Sequence, residues 1–373
     1  AYTTIHRGDQ IFPRFRSSGS STRIYWYPIF VESNGSNYAS HAVYLNDRWV
    51  LNNHWTFNLG VRYDKNDAVS GDGSFQIDNS DVWSPRLAAN FDVFANGKLK
   101  LIASYGQYTG RLAEGVGNDG DPAGRNASFG WNYAGPAVND DPNVPTSELI
   151  PTDEALAILF DWFFANGGTD LRPLRTSPSI PGFQRILDPN GLTSPNVKEW
   201  TLGVGATLGT RGVVRADVVY RNWDDFYVGF TNMETGQVEY EDRTFDLSVV
   251  SNDNDLYDRE YLGLHSQLQY RFTDRFNLGI SYTLSRLEGN VNGETWNSGP
   301  VRGSAGQYPE YRDESWNYPT GPLTGDRRHR AKLWLTYDLT TGIGDFLFSL
   351  LQSFESGTRS STDGTIDTRS FVD

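Results

Sequence analysis

Residues 276–287 read F-N-L-G-I-S-Y-T-L-S-R-L. Phe276, Leu278, Ile280, Tyr282 and Leu284 are apolar, and Asn277, Gly279, Ser281, Thr283 and Ser285 between them are small or polar. A period of two sends alternate side chains to opposite faces of a strand, so this stretch has one greasy face and one wet face. The pattern runs for about twice the usual strand length of about five or six residues. A soluble antiparallel sheet packed on one side would give the same pattern in a single strand. The choice therefore rests on how often the pattern recurs and how its copies are joined.

It recurs in pairs, each closed by a very short turn. Residues 42–50 pair with 55–63 through 51–54, and 86–94 with 99–108 through Ala95, Asn96 and Gly97, whose Asn-Gly is a hairpin signal. Residues 199–208 pair with 213–222 across Gly209, Thr210 and Arg211, and 261–272 with 276–286 across Thr273 and Asp274. The last pair is 330–339 with 346–355, across Thr341, Gly342 and Ile343. This gives about ten long strands. The links between the pairs are long and polar: 64–85, 109–198, 223–260, 287–329, and the stretch after Ser356. Strict alternation of short and long connections is the topology of an up-and-down barrel crossing an outer membrane, and Greek-key links in a sandwich do not predict it.

The faces agree. Trp55, Phe57, Leu59, Val61 and Tyr63 alternate with Thr56, Asn58, Gly60 and Arg62. A strand needs about 9 to 11 tilted residues to cross a bilayer, and these are long enough. In hydrocarbon every backbone donor and acceptor must be paired, so such strands are viable only in a closed ring. Aromatics near strand ends mark the interfacial girdles: Trp49, Trp55, Tyr63, Tyr105, Tyr108, Trp200, Tyr220, Trp223, Tyr270 and Tyr282.

Composition removes several alternatives. The chain has no cysteine, which excludes disulfides and thiolate metal sites. Its net charge of −14 is wrong for a nucleic-acid groove, which needs clustered Lys and Arg. There is no apolar run long enough for a transmembrane helix and no signal-peptide pattern at the start. A length of 373 residues would suggest about two globular domains, but one large barrel accommodates it as well.

The longest link, 109–198, contains P-T-D-E-A-L-A-I-L-F-D-W-F-F-A-N-G-G from residue 151 to 168. Thr152 can cap a helix over 152–166, with Asp153 and Glu154 in its first turn and Gly167 or Gly168 at its end. Its apolar residues lie nearly all round, so the helix must bury itself. It anchors its own loop or, through Trp162, Phe163 and Phe164, touches a ligand or a surface partner. Two acidic stretches, 251–258 and 117–126, gather oxygen ligands suited to calcium, with Asp253, Asp255 and Asp258 as candidate ligands. Neither matches the twelve-residue calcium loop, so a solvated acidic loop is the competing reading. Arg327, Arg328 and Arg330 belong to the densest charge cluster, placed either to pair with lipopolysaccharide phosphates at an outer rim or to join an internal salt-bridge network. No phosphate loop, no metal spacing among the five histidines and no G-x-S-x-G elbow is present, so no catalytic activity is expected.

The segments Y-L-N-D-R-W-V-L-N-N-H-W-T-F-N-L-G-V-R-Y-D (44–64), S-P-R-L-A-A-N-F-D-V-F (84–94), S-Y-G-Q-Y (104–108), P-N-V-K-E-W-T-L-G-V-G (195–205), S-Y-T-L-S-R (281–286) and G-D-R-R-H-R (325–330) carry a family likeness. In their order and spacing they resemble the barrel of TonB-dependent outer-membrane receptors, in particular the Oar-like branch with a carboxypeptidase-regulatory-like N-terminal domain. The resemblance implies a barrel of about twenty-two strands filled by an N-terminal plug, importing bulky nutrients with energy passed on by TonB. No plug, no TonB-contacting segment and no closing strand ending in an aromatic residue is read in these residues, which stop at Ser370, Phe371, Val372 and Asp373, so an interior or C-terminal piece of a longer protein is expected. A passive porin or export conduit, an adhesive or structural barrel in a surface complex, and a soluble all-β binding protein are the rival readings.

Overall fold

The computed structural model describes residues 11–14, 22–30, 37–110, 121, 126–139, 145–170, 180–183, 185–231, 237–240, 243–252, 258–289, 302–303, 320–323 and 325–357. Ten long strands dominate. They are β1 (Asn37–Val50), β2 (Trp55–Val69), β3 (Asp81–Asp92), β4 (Leu99–Thr109) and β5 (Asn196–Leu208). The second half adds β6 (Gly212–Asp224), β7 (Arg259–Thr273), β8 (Phe276–Gly289), β9 (His329–Thr341) and β10 (Gly344–Glu355). Each pairs antiparallel with its neighbour in chain order, giving one up-and-down sheet. The sheet does not close on itself: β1 and β10 are its two edges.

Register assigns the two faces. Leu59, Leu87, Tyr105, Trp200, Tyr220 and Leu262 are successive cross-strand partners from β2 to β7, so one apolar row crosses six strands. One residue along, Gly60, Arg86, Gly106, Glu199, Arg221 and Tyr261 form the parallel polar row. The first face leaves large side chains such as Leu45, Leu202 and Leu350 exposed. The second face contains the buried polar Asp64, Ser84 and Ser285. A body that displays its greasy side and shelters its polar side inverts the soluble pattern, as a barrel in lipid requires.

Rings bound the apolar face at both ends. On the long-connection side Tyr63 meets Trp83 at 4.8 Å between ring centroids, Tyr105 meets Trp200 at 5.2 Å, and Trp200 meets Tyr220 at 5.6 Å. On the short-turn side Trp55 meets Phe91 at 4.6 Å and Trp49 meets Phe57 at 5.5 Å. From Trp55 to Tyr63 the strand covers about 26 Å, which a tilt of about 40° reduces to about 20 Å, near the apolar band of about 25 Å. Two of the expected girdle residues belong elsewhere. Tyr108 and Trp223 are both partners of Val197 on the polar face, where Arg86 lies 5.0 Å from the Tyr108 ring centre and Arg259 lies 4.6 Å from that of Trp223.

The strands extend beyond the alternating segments at the long-connection end, β1 by five residues at 37–41 and β5 by three at 196–198. The apolar-polar alternation fades there while the ladder continues. The turn between β3 and β4 also differs from a two-residue Asn-Gly hairpin. The positive φ values fall on Ala95 and Gly97, and the Asp92 carboxylate accepts the Phe94 and Gly97 amides at 3.3 and 2.6 Å.

Candidate functional site: a polar wall beneath a layer of connections

The polar wall is built from ion pairs whose spacing follows the pleat. Arg62 and Asp64 lie two residues apart on one face of β2, and the guanidinium reaches the carboxylate at 2.7 and 2.8 Å. Arg215 and Asp217 repeat this on β6 at 2.7 Å. Arg221 and Glu199 are direct cross-strand partners joined at 2.5 Å. Where the wall has no charge, a hydroxyl pair or a ring fills it: Ser84 and Thr109 are 2.9 Å apart, and Tyr261 meets His265 at 3.0 Å. Such a surface can hold water, polar solute or polypeptide.

At the long-connection end three separate links fold together. Ala68, Ile77, Leu187, Leu192, Tyr227 and Val250 form one buried cluster, with Tyr38 and Phe75 packed on it. The Leu192 amide donates to Ile77 at 2.8 Å, the Asp188 amide to Val250 at 2.8 Å, and the Asn66 amide group to Ser194 at 2.9 Å. Asn252 ties the links again by accepting from Thr193 at 2.6 Å and donating to Asp225 at 2.8 Å. The sequence reading treats these links as separate polar loops. Their signal is the short apolar pairs Phe75 and Ile77, Ile186 and Leu187, and Val249 and Val250, each too brief for periodicity to register.

Two carboxylates of this layer are driven in opposite directions. Asp78 is fully buried; one oxygen accepts the Ser80 amide at 2.9 Å while the other has no partner among the described residues, and burial pushes its carboxyl up. Asp72, exposed in the 70–74 turn, is held down at about 2 by the Ser74 hydroxyl, the Ser74 amide and then the Ser70 hydroxyl.

Helix α1 (Thr152–Ala165) packs into a second cluster made of Ile24, Ala127, Phe129, Trp131, Phe163 and Ile180. Its cap is Pro151, with no side-chain cap, which corrects the role expected of Thr152. Proline restricts the residue before it and pre-sets its own φ, so a helix can begin there without a hydroxyl. Of the three aromatics singled out in the sequence, Phe163 is fully buried and meets Trp131 at 5.2 Å. It has no surface for a ligand, a correction that follows from its place on the helix face opposite solvent. Trp162 is partly buried against Tyr133, with ring centroids 4.9 Å apart. Phe164 alone points outward, at 61% exposure.

The candidate calcium ligands Asp253 and Asp255 lie outside the described residues. Asp258 is described, and its carboxyl is pushed up by burial and then by the neighbouring Glu260. Among the described residues no group of three or more His, Asp or Glu side chains is placed to hold a metal ion. The arginine cluster turns toward the polar wall. Arg327 meets Glu355 at 3.2 Å, and Arg330 is the partner of Thr283 on the polar face. Arg328 supplies its carbonyl to the Ser285 amide at 3.0 Å.

Comparison with known proteins places this geometry. A 65-residue stretch, 17% of the chain, is 40% identical to the TonB-dependent transporter Oar of Myxococcus xanthus and spans 6% of that protein. Among solved structures the chain is similar to the outer membrane transporter YddB from Escherichia coli, with 13% identity and a TM-score of 0.49 over 85% of this chain and 36% of that one. It is also similar to the ferric yersiniabactin uptake receptor FyuA from Yersinia pestis, with 11% identity and a TM-score of 0.44 over 89% of this chain and 35% of that one. The chain thus spans about a third of these solved relatives. The family model for the outer membrane beta barrel domain matches residues 68–357, most of the strands and the links between them. The chain belongs to the outer membrane beta barrel family, and its place is the outer membrane of a Gram-negative cell.

Proposed function

We propose that this chain is the barrel portion of a TonB-dependent outer-membrane transporter that imports a bulky solute, with the long connections recognising the cargo. The observation that carries the reading is the folded layer of connections at one end of a polar wall: segments 64–81 and 185–194 share one apolar core with Tyr227 and Val250. A passive pore gains nothing from such a layer, whereas a selective gate needs ordered surface above its passage. The Oar likeness, though confined to 65 residues, points to the same class. Phe164, exposed beside the buried Phe163, is the aromatic available for contact with cargo. The reading gives the protein a binding and gating role with no catalysis, and TonB engages a region outside these residues.

The test is uptake by the parent cell with the full-length gene intact, deleted, or intact in a strain depleted of TonB. Import of the same solute should fall in both altered strains. Import that survives TonB depletion would instead assign a passive conduit or an adhesive barrel.

A further inference from the structure

The polar wall has a hollow at its short-turn end. Gly205 of β5 presents no side chain there, and its direct cross-strand partners are Lys100 of β4 on one side and Arg215 of β6 on the other. Gln267 of β7 partners Arg215, and Val213, one pleat nearer the turns, partners both Thr207 and Gln269. These residues line a concavity of about 310 Å³ on β4 to β7, strands that are each paired on both sides. Gly205 keeps it open. A Cβ on Gly205 would meet no atom nearer than 4.0 Å, so the space is not taken up by a neighbouring side chain.

The donors around the hollow have few acceptors of their own. Arg215 gives its Nε to Asp217 at 2.7 Å, and among the described residues its terminal nitrogens have no partner. Among the same residues Lys100 makes no ion pair, and the side-chain amides of Gln267 and Gln269 make no hydrogen bond. Asp92, the partner of Lys100 on β3, accepts the Phe94 and Gly97 amides of its own turn. An ammonium, a guanidinium edge and two amides turned to one space offer many N–H donors and little that can accept, so they select a ligand rich in acceptor oxygens and negatively charged. The two cations stand on opposite sides of Gly205, about 10 Å apart at Cα. A planar carboxylate is satisfied by one arginine fork, whereas a tetrahedral dianion presents oxygens to both sides at once. We infer that this hollow binds a small oxyanion, phosphate or the phosphate group of a small solute. Its volume is at the low end of small-molecule sites, about 300 to 1,000 Å³, which limits the substituent that enters with the phosphate. The inference rests on the assignment of the faces and is independent of whether import is energised.

The experiment titrates inorganic phosphate into the full-length protein in detergent by calorimetry, in phosphate-free buffer at constant ionic strength. The parent should bind saturably. Lys100→Gln should weaken binding about tenfold by removing one of the two cations. Gly205→Val should abolish it by filling the hollow. Lys332→Gln is the control: it lies on the same polar row, beyond Gln267 and Ser281 and outside the hollow, and should bind as the parent does. Heat-modifiable gel migration checks that each variant is folded; if Gly205→Val is not, Gly205→Ser is read in its place, with a smaller loss expected. No saturable binding in the parent overturns the inference, and is the result expected if a carboxylate from another part of the full-length chain is seated in the hollow. Equal weakening by Lys332→Gln would mean diffuse attraction to the wall, and binding indifferent to both Lys100→Gln and the Gly205 variant would place the anion elsewhere; either overturns it as well. Uptake is not measured, so failure of the import reading leaves this result standing.

Discussion

Gly279 of β8 lies directly beneath Trp334 of β9: the two are cross-strand partners, and a Cβ on Gly279 would fall 1.8 Å from the indole Cε2. The ring therefore lies flat across the polar face, using the space a side chain would fill. Replacing Gly279 with Val drives the indole off the sheet and costs about 1–3 kcal/mol, as overpacking does elsewhere. Urea unfolding in detergent should show that loss for the variant. An unchanged midpoint would mean that the ring has another position available at no cost.

Leu202 and Thr201 test the two faces one residue apart. Leu202 is 66% exposed on the apolar face, between the rows of Trp200 and Val204, while Thr201 partners Ser104 and Val219 on the polar face. Leu202→Arg should cost about 2–4 kcal/mol, the penalty for a cation on the lipid side of a barrel. Thr201→Arg should assemble to near wild-type levels in the outer membrane. Equal losses in heat-modifiable gel migration would contradict the assignment of faces.

Phe163 is the anchor of α1. Its removal as Phe163→Ala takes a ring out of a closed cluster with Trp131 and Phe129 and should cost the loop layer about 3–5 kcal/mol. The ten strands should persist. Limited proteolysis should cut within 145–170 in the variant at protease levels the parent resists, while the strand fragments stay intact.

Asp78 gives the connection layer a pH dependence. Its folded pKa is raised by burial, so its neutral form is the better tolerated; the stability it contributes is complete below the unfolded value of about 3.9 and is lost as pH rises through the folded value. Asp72 has the opposite sign, and its contribution is lost only as pH falls through about 2. Of these two groups, only Asp78 gains stability on acidification from neutral pH. Amide exchange at Leu192, which donates to Ile77, should slow on acidification in the parent and be flat in Asp78→Asn. Faster exchange at the lower pH in the parent, after correction for intrinsic rates, would contradict this.

The strands were legible because lipid imposes a strict period of two: every apolar position of β2 from Trp55 to Tyr63 falls on one face of the sheet. Legibility ended where that constraint ends. Residues 37–41 continue β1 without the alternation, Tyr38 there packing on the buried cluster of the connections rather than facing lipid. Tyr108 and Trp223 read as girdle residues by proximity to a strand end, but parity, not proximity, sets the face, and both partner Val197 on the wall. In the connections, burial depends on contacts between distant segments such as Ile77 and Leu192, which no local pattern encodes. The charge cluster at 326–330 was visible, yet its direction depended on the register of Arg330 with Thr283.

The central claim is that odd and even positions of one strand meet different media. These residues hold no cysteine, so single cysteines can be placed at Asn58, Leu59, Gly60, Val61 and Arg62 and spin-labelled in the membrane-embedded full-length protein, with any cysteine elsewhere replaced by serine. Collision with oxygen, which concentrates in hydrocarbon, should be high at Leu59 and Val61 and low at the other three positions. Collision uniformly low along all five would mean a second protein layer covers the apolar face, and the barrel account would be contradicted.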